Sequence, residues 1–247
     1  FRGTTRNSSF IWYTCIIIVT NLCDELADLI RRNISDLPDL EVVETDHSVI
    51  EHEKVTIHNE MWKCKGLRKL HIERANTDKI EIIHCVLYPD PEYRLPIFGC
   101  DIIQTTSTIT AAIVDVSPVH GVDLNPQLSV VSEKYKFKDK RPLPIWAEDI
   151  FSNHCKFARL KDQKARDDFY TVVQKYLLIY CNAVRHAKKD PHSPFVPIMK
   201  RLDDQCWYCV SQRKNQKTKA VLSQWFDPLW ADKYINNVLF DKPWSKD

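Results

Sequence analysis

The chain has 247 residues, 44% of them hydrophobic and 28% charged, with a formal net charge of +2; it can bury a sizeable core in one globular unit, and its balanced charge argues against nucleic-acid binding. Its four glycines, Gly3, Gly66, Gly99 and Gly121, are scattered, so neither a dinucleotide fingerprint nor a phosphate loop can be written. Nine cysteines at irregular spacing read as free thiols of a reducing compartment, cytoplasm or an organelle stroma, because the count is odd and the chain is long enough to fold without disulfides.

Arg2 and Arg6 precede an apolar run over residues 10–19 that is too short to cross a bilayer as a helix and is followed by no small-x-small cleavage site. Residues 1–22 are therefore read as an N-terminal extension and 23–247 as one domain, opening with an amphipathic helical pattern over residues 24–32. Leu67, Leu70 and Ile72 interleaved with polar residues predict a strand from Leu67 to Arg74. The turn-like Asn76-Thr77-Asp78-Lys79 and the β-branched run 80–88 close an antiparallel hairpin. Residues 89–94 return the chain to a third strand over 97–103, and a fourth covers 111–116 before Ser117-Pro118. A loop rich in Pro and Lys follows. Helical spacing then runs over 169–184, a proline-rich break over 188–197, and further helical patterns over 199–222 and 228–239. Cys206-Trp207-Tyr208-Cys209 is a lone C-x-x-C on a helical pattern and reads as packing. Strands grouped before helices predict an α+β fold, an antiparallel sheet covered by helices.

Four ionisable side chains sit inside these strands: His71, Glu73, His84 and Asp101. Alternation puts His71 and Glu73 on one face. A turn centred between Thr77 and Asp78 places His71 opposite His84, and centring the next loop brings Asp101 to face His84; one residue of slip would send each group to the other face. A single strand histidine is usually a hydrogen-bonded core residue. Two histidines and two carboxylates on one face are different, because buried charge needs pairing or proton sharing, and such groups titrate together near neutral pH. The pattern points to acid chemistry or to metal binding; His71, His84 and either Asp101 or Glu73 would form a two-histidine, one-carboxylate set of the non-haem iron type. Two basic clusters, Lys63, Lys65, Arg68 and Lys69, and Lys134, Lys136, Lys138, Lys140 and Arg141, stand out against the small net charge.

Several ordered blocks resemble the ferredoxin-dependent bilin reductases: Ile83-His84-Cys85-Val86, Pro89-Asp90-Pro91, Leu95-Pro96-Ile97-Phe98-Gly99-Cys100-Asp101-Ile102 and Ala111-Ala112-Ile113-Val114-Asp115-Val116-Ser117-Pro118. Arg68-Lys69-Leu70-His71-Ile72-Glu73, Leu143-Pro144-Ile145-Trp146, Ile150-Phe151-Ser152, Lys214-Asn215 with Lys217-Thr218, and Val238-Leu239-Phe240-Asp241 resemble most the phycocyanobilin-forming branch. The resemblance spans Val55 to Asp241, more weakly the helix before it. It implies a three-layer α/β/α sandwich with a central antiparallel sheet, and reduction of biliverdin IXα through radical intermediates. No permanently bound cofactor or metal is implied; the electrons come from reduced 2Fe–2S ferredoxin, an acidic, transient partner that the two basic clusters would steer, and the enzyme is expected to be a monomer, unattached to membranes. By motif position, Asp101 and His84 are implied as a proton-sharing pair beside the pyrrole nitrogens and lactam oxygens, His71 as its support, and Glu73 as donor to the D-ring vinyl. Arg141 and Lys217 match propionate-binding positions, with Asn215 beside them. Gln216 departs from the acidic residue usual after Lys-Asn, and an amide cannot donate an acid's proton. Within the family a phycoerythrobilin-forming reductase stays open, and outside it a non-catalytic bilin carrier.

Overall fold

The computed structural model describes residues 21–122, 124–190 and 195–243. Helix α1 (Leu22–Ile34) is followed by strands β1 (Glu41–Val42), β2 (Val49–His52), β3 (Val55–Cys64), β4 (Leu67–Asn76), β5 (Ile80–Pro89), β6 (Ile97–Thr105) and β7 (Ile109–Ser117). Then come α2 (Asn125–Lys134), α3 (Ile145–Glu148), β8 (Lys156–Leu160), α4 (Gln163–His186), α5 (Phe195–Gln212), α6 (Gln216–Trp225), α7 (Pro228–Tyr234) and a π-helical turn, Ile235–Leu239. The eight strands form one sheet in the order β1-β3-β4-β5-β6-β7-β8, with β2 also on β3, and every pairing is antiparallel.

Alternation along the strands builds two cores. Ile72, Ile83, Cys85, Leu87, Phe98, Cys100 and Val114 face α1, α2 and α4, while Ile57, Ala75, Val86, Tyr88 and Ile97 face α5, α6, α7 and the π turn. The result is an α+β sandwich of helices, antiparallel sheet and helices, as predicted. At about 25 cal/mol per Å² of apolar surface buried, each fully buried Leu, Ile or Phe contributes roughly 1.5–3 kcal/mol, so both faces are firmly held. Gly66, at φ 89°, makes the tight β3–β4 turn in the left-handed region that disfavours a Cβ. At Gly99 a Cβ would lie 3.1 Å from the Tyr208 hydroxyl, so this position lets α5 approach β6 closely.

Several boundaries differ from the sequence reading. The first hairpin turns between Asp78 and Lys79, one residue later than loop centring gave. Thr77 sets this: its Oγ1 accepts from Ile80 N at 2.9 Å and Lys79 N at 3.2 Å, and its own N donates to Ile80 O at 2.9 Å. Glu73 thus pairs with His84, and His71 with Val86. The pairing moves by two residues, so every side chain keeps its face. The Asp101–His84 pairing is as predicted. The Pro/Lys loop after Pro118 contains α2, α3 and the short edge strand β8, and β1 to β3 precede the predicted hairpin. The 199–222 pattern is two helices, since the Asn215 side chain caps α6 by accepting from Lys217 N. Pro197, read as part of a break, lies in the first turn of α5, where a missing N–H costs nothing. The 10–19 run lies outside the described residues. Cys206 and Cys209 lie on α5 as expected, and the eight described cysteines are all free thiols.

Candidate active site

The four predicted side chains lie together on the α5–α7 face. Each strand brings its residue there by register: Asn59 on β3 pairs with Glu73 on β4, Glu73 with His84 on β5, and His84 with Asp101 on β6. Asn59, Glu73 and His84 are buried and His71 wholly so, a composition that a core accepts only when the polar atoms are bonded or share protons.

His84 Nδ1 lies 2.5 Å from Asp101 Oδ1. The Asp101 side chain keeps 38% exposure against 10% for His84, so the pair bridges the rim of the site and its interior. Burial works against an imidazolium at His84, but the charge and hydrogen bond of Asp101, with Glu73, outweigh it and raise the pKa. His71 behaves oppositely: burial, then the charges of Lys69 and His84, drive its pKa well below 6.5. Burial pushes the Glu73 carboxyl up to about 7, with His84 and a hydrogen bond to Tyr234 pulling down and Asp101 adding to the rise. A site that pushes neighbouring titratable groups in opposite directions is suited to holding and delivering protons near neutrality.

Three buried polar atoms here have no hydrogen-bond partner: His71 Nδ1, Glu73 Oε2 and His84 Nε2. They are candidate contacts for a polar ligand. The Phe240 ring meets His84 edge-on, with centroids 5.4 Å apart. This end of the chain is fastened down from several sides. The π turn closes with Phe240 N donating to Ile235 O at 3.0 Å, Arg213 donates to Phe240 O at 2.7 Å, and Lys69 Nζ donates to Val238 O at 2.5 Å. π-helical insertions recur at functional sites.

The remaining candidates are spread more widely. Asp101, Ile113 and Phe157 are successive cross-strand partners and so share a face. Arg141 stacks 4.7 Å over the Phe157 ring and donates to Thr110 O at 2.9 Å, which puts it on the Asp101 face, two strands outward. Asn215, Gln216 and Lys217 open α6 on the helical layer above that face, with Gln216 and Lys217 exposed. Among the described residues no three His, Cys, Asp or Glu side chains converge in a metal-holding group; Nδ1 of His84 and Nε2 of His71 are already engaged by Asp101 and Asn59. The first basic cluster does not hold as an open patch. Arg68 and Lys69 are half-buried and both pair with Asp241, at 2.8 and 2.5 Å, and Lys63 pairs with Glu41. In the second cluster Lys134, Lys136, Lys138 and Lys140 are all exposed.

Asn59, Tyr234 and Phe240 were not singled out as site residues from the sequence. Asn59 could have been found through the alternation Val55, Ile57, Asn59, which places it on the inward face of β3. Tyr234 carries no such signal, because a tyrosine on an apolar helical face is ordinarily core.

The sequence profile described as ferredoxin-dependent bilin reductase matches residues 27–241. Relatives named phycocyanobilin:ferredoxin oxidoreductase include one from Prochlorococcus marinus (strain MIT 9515), 38% identical over 90% of this chain and 96% of its own. Another, from Synechococcus sp. (strain CC9902), is 38% identical over 90% of this chain and 93% of its own. Among solved structures, tomato phytochromobilin synthase in complex with biliverdin superposes with a TM-score of 0.76 over 89% of this chain and 83% of its own, at 14% identity, a likeness of fold. The chain belongs to the ferredoxin-dependent bilin reductase family and is an oxidoreductase. No helix among the described residues is long and apolar enough to cross a membrane.

Proposed function

We propose that this chain reduces biliverdin IXα to phycocyanobilin, taking four electrons one at a time from reduced ferredoxin while its own residues supply the protons. The observation that carries the reading is the joining of Asp101, His84, Glu73 and His71 on one covered sheet face, where the proton affinities of His84 and Glu73 are raised and that of His71 is lowered. Each of the two reductions, at the D-ring vinyl and then at the A-ring, takes two electrons and two protons, so the protein's task is to hold the tetrapyrrole, exclude water and meter protons.

Within this reading the His84–Asp101 pair, short and spanning rim to interior, holds the proton facing the pyrrole nitrogens and lactam oxygens. Glu73, neutral up to about pH 7, donates to the D-ring vinyl. His71 stays an uncharged imidazole that fixes the network. Arg141, and Lys217 beside the Asn215 cap, take the propionates, for which cationic donors are needed. Ferredoxin, an acidic partner, docks through the exposed Lys134–Lys140 stretch, whose charges speed encounter.

The test is anaerobic incubation of the purified protein with biliverdin IXα and a reduced ferredoxin system, followed by chromatography against bilin standards. Phycocyanobilin supports the proposal. Phycoerythrobilin would keep the family and reassign Glu73; bound but unchanged biliverdin would make the chain a carrier; stoichiometric iron required for turnover would overturn the protein-only proton scheme.

A further inference from the structure

We infer that Tyr234 and Asn59 are positioning residues, which fix His71 as its Nε2–H tautomer and hold the acidic proton on Glu73 until a single hydroxyl turns. The inference rests on the reading of Glu73 as an acid, and it follows from counting donors. The Asn59 amide is oriented by its Nδ2, which donates to His47 O at 2.7 Å. Its Oδ1 therefore faces the site as an acceptor, 2.7 Å from His71 Nε2 and 2.9 Å from the Tyr234 hydroxyl. Both neighbours must donate to it. His71, held neutral by burial, then has its one N–H at Nε2 and a bare lone pair at the unpartnered Nδ1.

The same hydroxyl lies beside Glu73, because Glu73 is the direct cross-strand partner of Asn59. A tyrosine has one hydroxyl proton, and here it is given to Asn59. For Glu73 to bond that hydroxyl as it stands, the carboxyl group must be the donor, which means a protonated Glu73. Once Glu73 has released its proton, the carboxylate needs a donor of its own. The same hydroxyl serves if it swings from Asn59 Oδ1 to Glu73, leaving His71 as the sole donor to Asn59. One proton on one oxygen thus couples the charge of Glu73 to the anchoring of His71. Trp230 stacks on the Tyr234 ring with centroids 4.7 Å apart and fixes its position, so only the O–H needs to rotate. From the sheet Glu73 is also faced by His84, Asp101 and His71, with Lys69 further along β4 tied to Asp241. From the helical side it is faced by Tyr234, itself edge-on to His47.

Two measurements on the protein without bilin test this. Nitrogen-15 NMR of the imidazoles is expected to show His71 as Nε2–H at neutral pH. Infrared titration of the Glu73 carboxyl, identified by its loss in Glu73→Gln, is expected to show a midpoint raised by about one pH unit in Tyr234→Phe, because the carboxylate loses a charge-assisted donor. A merely structural Tyr234 would leave that midpoint in place, and an unmoved midpoint or an Nδ1–H tautomer overturns the inference. Should Tyr234→Phe not fold, the wild-type tautomer decides alone. Failure of the protein to reduce biliverdin, with tautomer and midpoint as expected, would retire the proposed reaction and leave this hydrogen-bond assignment standing.

Discussion

Replacing Glu73 with glutamine should make the protein more stable at alkaline pH, by an amount the structure sets. The carboxyl moves from 4.5 in an unfolded chain to about 7 in the folded protein. Between those values the folded state binds more protons than the unfolded one, so stability falls as pH rises through the window and levels off above about 7. At 1.36 kcal/mol per unit the full shift corresponds to about 3 kcal/mol. That shift already contains the opposing attraction of His84, so about 3 kcal/mol is the expected size. Glutamine keeps the shape and never ionises. Its stability relative to the parent should therefore be flat below about pH 4.5 and climb by about 3 kcal/mol by pH 8. His71 contributes a term of opposite sign below about 6.5, but it is present in both proteins and largely cancels. Urea unfolding at a series of pH values measures the difference. Parallel curves for the two proteins across that range would refute a buried, neutral Glu73.

Other perturbations address the proposed chemistry. Asp101→Asn is expected to keep biliverdin bound while slowing conversion by about 100-fold or more, because His84 loses the partner that raises its pKa; anaerobic absorbance should show an early reduced species that persists, and full activity would remove Asp101 from its role. Arg141→Ala should weaken biliverdin binding about tenfold without affecting the dimethyl ester, as measured by pigment titration; equal losses for both ligands would point to lost stacking on Phe157 instead. Lys138→Glu with Lys140→Glu should lower kcat/KM for ferredoxin about tenfold at low ionic strength and flatten its salt dependence; an unchanged salt slope would place docking elsewhere.

The residues differ in how plainly they announced their places. His71, Glu73, His84 and Asp101 sit on long, β-rich strands whose period of two assigns faces without any tertiary information, and an error of two in pairing left them together. β8 was hidden because Lys156–Leu160 is only five residues long and gains its strand character from pairing with β7. The split between α5 and α6 depends on one cap, Asn215, inside an otherwise continuous helical pattern. Arg68 and Lys69 looked like surface charge because nothing local predicts Asp241 folding back from the C-terminal end to meet them. Asn59 and Tyr234 meet across 175 positions of sequence, a contact that only the packing of α7 on the sheet creates.

The most direct measurement is an anaerobic titration of the biliverdin-loaded protein with reduced ferredoxin, counting electrons taken up per pigment and identifying the bilin at the end point. Uptake of four electrons with phycocyanobilin as the sole product is the expected result. Uptake that stops at two, or biliverdin left unchanged by excess donor, would contradict the proton-metering site described above.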